Sequence, residues 1–307
     1  MILCCGEALI DMIPVDLPDV GTTFAPHTGG AIFNTAVALG RLGAKAGMVS
    51  GVSRDAFGEQ LVATLEANNV STEHLIRSDL LTTLAIVHLK DGHATYGFYD
   101  EGCAGRMVQS SDMPTVPKDT SALYFGGISL VSAPAADAYA DLCERVSTKL
   151  PVMIDPNIRP SFIVDVPAYR ARMDRMFSHC DIVKVSDEDL AWITGDAGSL
   201  EAQAEVLRKR SPRFVIVTQG AEGALAFGPG ETIHVAAQAA SVVDTVGAGD
   251  TFNAGFLAQL QQDNMLKKAT LNGLNAKDLS DALQYGARVA AVTVSRAGAN
   301  PPWAHEL

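Results

Sequence analysis

The sequence predicts an α/β protein with a mostly parallel central sheet, helices on both faces and a small β-lid beside it. Short, nearly continuous apolar runs alternate with helical patterns, as they do in sheets that are covered on both faces. Two segments break this alternation and favour an accessory sheet. No internal repeat, low-complexity tract or Pro/Gly/Ser linker divides the chain, so we expect a single domain over residues 1–307.

The strand predictions follow apolar runs that are rich in β-branched residues. In chain order these runs are ILCCGEALI, AGMVSGV, ALYFGGISL, VMIDPN, DIVKVS, FVIVTQG and GALAFG. Helical periodicity between the runs predicts helices over residues 31–42, 55–68, 133–147, 167–178, 199–210, 250–262 and 277–295. Strands and helices that alternate in this way form βαβ units, whose strands lie parallel.

The β-lid is predicted from two segments, near residues 10–29 and 82–106. The first is rich in Pro, Asp and Gly and follows the first strand without a helix. The second contains two β-rich runs around Asp91-Gly92, a favoured two-residue hairpin turn. Together they predict a small antiparallel sheet that could cover a ligand at the carboxyl ends of the parallel strands. A surface hairpin without a role in binding is the alternative.

Composition and charge exclude several classes of protein. Hydrophobic residues make up 48% and charged residues 19%, as in a globular protein, and the net charge of -12 argues against nucleic-acid or anionic-membrane partners. The start, MILCCGEALIDMI, lacks a basic region and carries two carboxylates, so it does not resemble a signal peptide. Five cysteines without a CxxC pair are typical of reduced thiols, and we expect a cytoplasmic protein.

The run GGAIFNTAVALGRLG, residues 29–43, predicts a helix whose N-terminus receives a polar ligand. Gly29 and Gly30 allow close approach to the backbone, and Asn34 in the first turn offers amide donors and a carbonyl. Asp11, at the carboxyl side of the first strand, can accept hydrogen bonds from two hydroxyls. A plain helix start and a turn carboxylate are the alternatives.

Three further loops follow predicted strands. In DPNIR, Arg159 is either a surface cation or a partner for a developing anion. In KVSDEDL, Ser186 is predicted to cap a helix whose first-turn carboxylates either complement the dipole or hold Mg²⁺ through waters. In VTQGAEGALAF, the small residues of the loop would let a nucleotide approach.

The strongest motif is DTVGAGDTFNAGF, residues 244–256. It is not a lysine-bearing phosphate loop, because the chain contains no Gly-Lys dipeptide. It is not a dinucleotide fingerprint either, because Phe252 stands where the third glycine would fall. If a helix begins near Gly249, the backbone amides of residues 247–249 would form an anion hole, with Asp250 beside it. This arrangement suits a hydroxyl that loses a proton while a nearby phosphoryl group gains charge.

These residues resemble the ribokinase and fructokinase family of sugar kinases, and bacterial fructokinases most of all. The N-terminal Gly-Gly…Asn signature is matched by Gly29, Gly30 and Asn34, and Asp-Thr-x-Gly-Ala-Gly-Asp-x-Phe by residues 244–252. The resemblance continues to SRAGANPPW and so covers essentially the whole chain. It implies a ribokinase-like fold with a central sheet, helices on both sides and a β-lid.

The resemblance also implies roles for individual residues. Asp250 corresponds to the catalytic base of the family, and Gly247, Ala248 and Gly249 correspond to its anion hole. The sugar-binding positions are Asp11, Gly29, Gly30, Asn34, Phe98 and Arg159. The nucleotide positions are Lys184, Ser186, Thr218, Gly220, Gly223 and Ala287. A potassium site is implied at Asp244, Val246, Thr293, Arg296 and Gly298, and an indirect Mg²⁺ contact at Asp189.

The expected reaction is phosphorylation of D-fructose to fructose 6-phosphate by ATP with Mg²⁺, with K⁺ as a further cofactor. The chain departs from the family at Ser186 and Asp189, where many members carry Asn-x-x-Glu, and at Cys103-Ala-Gly-Arg106, where fructokinases often carry Thr-Ala-Asp-Arg. The alternatives are a kinase for 2-keto-3-deoxygluconate, ribose or nucleosides, a nicotinamide-dependent oxidoreductase, and a non-catalytic sugar-binding regulator. Because Asp250 would lie at a helix N-terminus, its carboxyl group is expected to have a low pKa. The exposed edge of the predicted lid suggests that the protein forms a homodimer.

Overall fold

The computed structural model describes residues 1–90, 93–195 and 198–307. The predicted turn at Asp91-Gly92 lies outside these residues. The strands are β1 (Ile2–Cys5), β2 (Leu9–Leu17), β3 (Gly21–Gly29), β4 (Ala46–Val49), β5 (Gly51–Ser53), β6 (Val70–Ser71), β7 (Ile76–Ser78), β8 (Leu84–Lys90), β9 (His93–Tyr99), β10 (Ala122–Gly126), β11 (Val152–Asp155), β12 (Ile182–Ser186), β13 (Phe214–Thr218), β14 (Ala224–Phe227) and β15 (Ile233–Val235).

Helices connect most of these strands. They are α1 (Ala31–Arg41), α2 (Ala56–Ala67), α3 (Ala135–Val146), α4 (Val166–Phe177), α5 (Asp187–Thr194), α6 (Leu200–Arg208), α7 (Ala248–Gln262), α8 (Lys268–Asn272) and α9 (Ala276–Val294). Each helix that was predicted with bounds is present within a few residues. Of the others, α5 was expected only from its Ser186 cap, and the one-turn helix α8 had no signal in the sequence.

The central sheet is mostly parallel, as predicted. Its strand order within the described residues is β15-β14-β13-β12-β11-β10-β1-β4-β6. All neighbouring pairs from β6 to β13 are parallel, whereas β14 pairs antiparallel with both β13 and the edge strand β15. The strand β15 was not predicted, because its three residues are too short for a periodic pattern to be recognised.

Helices cover both faces of this sheet and define two apolar cores. Alternate residues of β1 point to opposite faces, so Ile2 and Cys4 join one core while Leu3 and Cys5 join the other. Helices α1, α2, α7 and α9 pack in the first core, and α3, α4, α5 and α6 in the second. Burial of both faces explains why the strands are continuous apolar runs rather than alternating ones.

A separate four-stranded sheet, which we call the lid, has the order β3-β2-β8-β9. The hairpins β2–β3 and β8–β9 are antiparallel, but β2 and β8 pair in parallel, with Ile10 opposite Leu84. The prediction of an antiparallel sheet is therefore wrong for this central pair. The reason is that a long segment containing α1 and α2 separates the two hairpins, and such a crossover allows β8 to run parallel to β2. Residues 100–106 form no strand and pack beside the sheet, where the amide of Ala104 donates to Leu81 O at 2.9 Å.

All five cysteines are free and buried. In the described residues no helix combines the length and the hydropathy that a membrane crossing requires.

Candidate active site

The carboxyl ends of the parallel strands and the N-termini of two helices meet at one edge of the central sheet. Strand β11 ends at Asp155, β12 carries Lys184 and ends at Ser186, and β13 ends at Thr218. Helices α1 and α7 pack against each other above this edge. In open α/β sheets ligands bind outside the carboxyl ends of the strands, so this edge is the candidate active site.

The packing of α1 on α7 joins the two sequence motifs. Asn34 Nδ2 donates a hydrogen bond to Asp250 Oδ2 at 2.9 Å, across 216 residues of chain. Thr35 Oγ1 donates to the Asp250 carbonyl at 3.1 Å. Within the described part of the chain, Asp250 Oδ1 accepts no hydrogen bond. The carboxylate is therefore held by one oxygen and keeps the other for a ligand.

The start of α7 has the geometry that its glycines require. Gly247 caps the helix in the left-handed region with φ 77°, and a Cβ there would lie 2.6 Å from Ala299 Cβ. The Ala248 amide donates to Thr245 O at 3.3 Å. Across the described ranges the amides of Gly247 and Gly249 form no hydrogen bond. Two of the three amides of the predicted anion hole are therefore unpaired.

Burial decides the protonation of Asp250, which is only 7% exposed. Desolvation raises its pKa to about 7, although the Asn34 hydrogen bond acts in the opposite direction. The negative charge of Asp155 raises the pKa further, while the Lys184 ammonium lowers it. The expectation of a low pKa is therefore wrong, because the helix N-terminus contributes less than the loss of hydration.

The predicted sugar-binding residues of the lid and of α1 lie together. A Cβ on Gly29 would lie 2.1 Å from Asp11 Oδ2, so only glycine leaves room for this carboxylate. Burial raises the pKa of Asp11 to about 6. Gly30 caps α1 with φ 105° and lies against Glu7. The lid hairpin thus holds Asp11 next to the N-terminus of the helix that carries Asn34.

Phe98 contacts the loop after β11, and Arg159 belongs to that loop. The Phe98 ring of the lid contacts the Phe162 ring edge-on, with 4.5 Å between their centroids. Arg159 is exposed, and its Nη1 donates to its neighbour's carbonyl, Ile158 O, at 3.0 Å. Its charge lowers the pKa of Asp189, which burial nevertheless raises to about 6. The loop after β11 therefore contacts both the lid and the N-terminus of α5.

The predicted nucleotide residues lie at the ends of β12 and β13, in the loop after β13 and, for Ala287, on helix α9. Ser186 caps α5 as predicted, since its Oγ accepts the Asp189 amide at 3.0 Å. Thr218 Oγ1 donates to Val185 O at 3.3 Å. Gly220 begins a short 3-10 turn, and Gly223 has φ 101° with no room for a Cβ beside Val235 O. Ala287 lies on the buried face of α9.

Lys184 belongs to a buried polar cluster that the sequence did not reveal. Its ammonium forms an ion pair with Asp155 at 3.0 Å, with both side chains almost fully buried. Asn253 Nδ2 donates to Asp155 Oδ2 at 2.7 Å and to the Tyr124 hydroxyl at 2.9 Å. Neither residue was singled out from the sequence, since Asp155 lies in the predicted strand run VMIDPN and Asn253 in a predicted apolar helix. A polar residue three positions after Asp250, on the same helix face, was the available signal.

Two loops meet at the implied potassium site. Asp244 Oδ1 accepts the Val246 amide at 3.0 Å, and Asp244 Oδ2 accepts the Gly298 amide at 2.8 Å. Thr293 is buried, and its hydroxyl donates to Val289 O at 3.0 Å. The Arg296 side chain instead forms an ion pair with Glu306 at 2.7 Å. The carboxylate of Asp244 thereby fixes the backbone carbonyls that a monovalent cation would need.

The described residues contain no group of three or more His, Cys, Asp or Glu side chains placed to hold a metal ion. Asp189 Oδ1 accepts the Ile158 amide at 3.2 Å. A single carboxylate such as Asp189 fits only a divalent ion that is held mainly by phosphate oxygens and waters, as Mg²⁺ usually is in phosphoryl-transfer sites.

Comparisons with known proteins find similar chains over nearly the whole length of this one. The chain is 47% identical over 279 residues to a fructokinase of Rhizobium leguminosarum bv. trifolii, covering 91% of this chain and 85% of that protein. The crystal structure of a Xylella fastidiosa fructokinase with bound ATP superposes with a TM-score of 0.90 at 28% identity, over 97% of this chain and 93% of that one. A Vibrio cholerae O395 fructokinase in fructose-, ADP- and potassium-bound form superposes with a TM-score of 0.83 at 26% identity, over 97% and 93%.

The family profile of pfkB carbohydrate kinases matches residues 1–306. Because this profile spans nearly the whole chain and the fold is ribokinase-like, the chain belongs to the pfkB family of carbohydrate kinases. The members of this family are phosphotransferases that act on an alcohol group.

Proposed function

We propose that this kinase transfers the γ-phosphoryl group of ATP to D-fructose and produces fructose 6-phosphate and ADP. The observation that carries the proposal is the 2.9 Å contact between Asn34 and Asp250, which puts the sugar motif and the phosphoryl-transfer motif in one site. The 47% identity to a fructokinase favours fructose among the sugars of the family.

Asp250 is proposed as the catalytic base. Its free Oδ1 would accept the hydrogen bond of the 6-hydroxyl, while Asn34 fixes the carboxylate through Oδ2. A pKa of about 7 leaves much of Asp250 ionised at neutral pH and makes it a competent proton acceptor. Phosphoryl transfer has a loose transition state, so the proton can move late and positioning dominates. The amides of Gly247 and Gly249 would stabilise the charge on the transferring group.

The remaining predicted residues are proposed to hold the two substrates. Bound ATP with Mg²⁺ supplies the phosphoryl group and neutralises part of its charge. Lys184, Ser186 and the Thr218 loop would contact the nucleotide, and Asp189 would contact Mg²⁺ through water. Asp244 and the loop around Gly298 would hold K⁺ near the anion hole. Asp11, Gly30 and Arg159 would bind the sugar, while the lid excludes water from it.

The experiment that tests the function is an ADP-release assay, coupled to NADH oxidation, with a panel of acceptors. D-Fructose, D-ribose, 2-keto-3-deoxygluconate and nucleosides are each supplied with ATP, Mg²⁺ and K⁺. We expect fructose to give a kcat/KM at least about tenfold above every other acceptor, a ratio that one or two well-placed hydroxyl contacts can supply. A different preferred acceptor would overturn the fructose assignment, and no turnover with any acceptor would overturn the catalytic one.

A further inference from the structure

The cluster of Asp155, Lys184, Asn253 and Tyr124 lies beneath the anion hole, and the proposed mechanism uses only its lysine. A single carboxylate oxygen is at its centre. Asp155 Oδ2 accepts Lys184 Nζ at 3.0 Å and Asn253 Nδ2 at 2.7 Å. Strand β11 thereby connects the ammonium group on β12 to the helix α7.

Stability does not explain this cluster. Asp155 is 1% and Lys184 5% exposed, and a buried ion pair is generally no more stable than apolar residues of the same volume. Asn253 Oδ1 is buried and has no hydrogen-bond partner in the described structure. Rotating the amide would not help, because the oxygen would then face the Asp155 carboxylate. The cluster thus carries a desolvated ion pair and an unsatisfied acceptor, both of which cost stability.

The position of the cluster indicates a role in the reaction. A Cβ on Gly249 would lie 3.1 Å from Lys184 Nζ, so the ammonium group lies directly beside the backbone of the anion hole. Asn253 lies one helical turn after Asp250 on α7. Asp155 Oδ2 therefore contacts both the cation beside the anion hole and the helix that carries the base.

We propose that Asp155 is a positioning residue for phosphoryl transfer, and this inference rests on the proposed kinase function. It holds the Lys184 ammonium group beside the anion hole and, through Asn253, keeps that group at a fixed place relative to Asp250. A lysine side chain is long and flexible, so an ammonium without this anchor would lose the preorganisation that stabilises transition-state charge.

A double-mutant cycle on kcat tests the inference. Asp155→Asn, Lys184→Met and the double variant are compared with wild type. We expect Asp155→Asn to lower kcat by about 10- to 100-fold, the effect of a small misplacement at a reacting centre, with the KM for fructose within about threefold of wild type. Because Asp155 acts through Lys184, the double variant should be no slower than Lys184→Met alone.

Asp181→Asn is the matched control. Asp181 also forms an ion pair, with Lys268 at 2.7 Å, but it precedes β12 at the opposite end of the sheet. Its loss should lower the unfolding temperature without changing kcat. If Asp155→Asn does not fold, Asn253→Ser replaces it, and a lower kcat at unchanged fructose KM is expected there too.

The outcomes separate the two proposals. A wild-type protein without ADP release would overturn the kinase function itself. An active wild type whose Asp155→Asn variant keeps half or more of its kcat would overturn the positioning role alone. So would a double variant whose loss equals the product of the two single losses, or a folded Asn253→Ser variant with unchanged kcat.

Discussion

At the scale of single residues, two opposing effects act on the carboxylate of Asp250. The positive end of a helix stabilises a nearby anion by about 0.3–1 kcal/mol. Full burial can raise a carboxyl pKa by several units, and each unit corresponds to about 1.4 kcal/mol. Burial is therefore the larger effect, and the pKa rises to about 7. The site holds an acid that can give and take a proton at neutral pH.

Asp250→Asn should lower kcat by about 10²- to 10⁴-fold, the contribution of a general base, while fructose and ATP still bind. The amide keeps the shape and the bond to Asn34 but cannot accept the hydroxyl proton. Steady-state kinetics and calorimetric binding measure the two effects. Asp263→Asn, an exposed carboxylate at the end of the same helix, is the control. A variant with a tenth of wild-type kcat would rule out Asp250 as the base.

The activity and the stability should depend on pH with opposite signs. If Asp250 is the base as proposed, its protonation removes the proton acceptor, so kcat should fall as the pH drops below about 7. Its folded pKa is raised from 3.8, so the associated stability is present below 3.8 and is lost as the pH rises through about 7. Asp250→Asn should therefore raise the unfolding temperature more at alkaline than at acidic pH. A kcat that stays flat across neutral pH, or a variant that is destabilised at alkaline pH, would contradict this account.

Some site residues could be read from the sequence and others could not. Asn34 and Asp250 stand in glycine-marked motifs at helix starts, where the backbone itself indicates a ligand. Glu7, in the apolar run at the start of the chain, was given no role from the sequence, yet it accepts the Ser129 amide at 3.2 Å and supports the loop after β10. Asp155 and Asn253 were missed because their role depends on which strand lies beside which helix. Local patterns carry no information about such contacts.

At the scale of secondary-structure elements, the β2–β3 hairpin positions Asp11, the carboxylate proposed to bind the sugar. Its ladder places Asp11 opposite His27 and Leu9 opposite Gly29, so Asp11 leans over Gly29. Gly29→Ala would bring a methyl group within 2.1 Å of Asp11 Oδ2 and displace the carboxylate. We expect a rise of about tenfold or more in the KM for fructose and a destabilisation of about 1–3 kcal/mol.

The fructose KM and the free energy of unfolding of Gly29→Ala are measured beside those of Gly273→Ala. Gly273 follows α8, and a Cβ there would make only ordinary contacts, at 3.5 Å or more. This control should keep the wild-type KM. If Gly29→Ala also keeps it, the hairpin does not position Asp11 for the sugar.

The loop before α7 and the loop after α9 are held together by Asp244. Asp244 accepts one amide from each loop, from Val246 and from Gly298. Asp244→Ala should separate the loops and raise the K⁺ concentration for half-maximal activity by about tenfold, a typical cost for one ligand-orienting group. The K⁺ titration is run at constant ionic strength with choline. An unchanged K⁺ dependence, or none in wild type, would remove the proposed site.

The sequence predicted the elements better than their pairing. Continuous apolar runs correctly indicated a sheet buried on both faces, because only such a sheet has no polar side. The parallel pairing of β2 with β8 was not predicted, since the hairpin signal at 82–100 describes only β8 and β9. The strands β6 and β15 and the helix α8 were missed because two to five residues are too few for a periodic pattern to be recognised.

At the scale of the whole molecule, the lid leaves apolar side chains exposed at the free end of the β2–β3 hairpin. Val15 and Leu17 lie on one face and Phe24 on the other, since Phe24 pairs with Pro14. These side chains are 38%, 44% and 39% exposed, and Val20 in the turn is 73% exposed. A hairpin with apolar residues on both faces can bury them between two lids of a symmetric dimer.

We therefore expect wild type to sediment as a dimer and Leu17→Asp/Val20→Asp to weaken that dimer by at least about tenfold. Two charges placed in an apolar contact lose hydration without gaining a partner, which costs more than the 1.4 kcal/mol that a tenfold change in Kd requires. Val206→Asp on α6, a residue that is also 39% exposed, is the control and should remain a dimer. Sedimentation velocity over a range of protein concentrations measures all three. A wild type that stays monomeric at every concentration would contradict the lid-to-lid dimer.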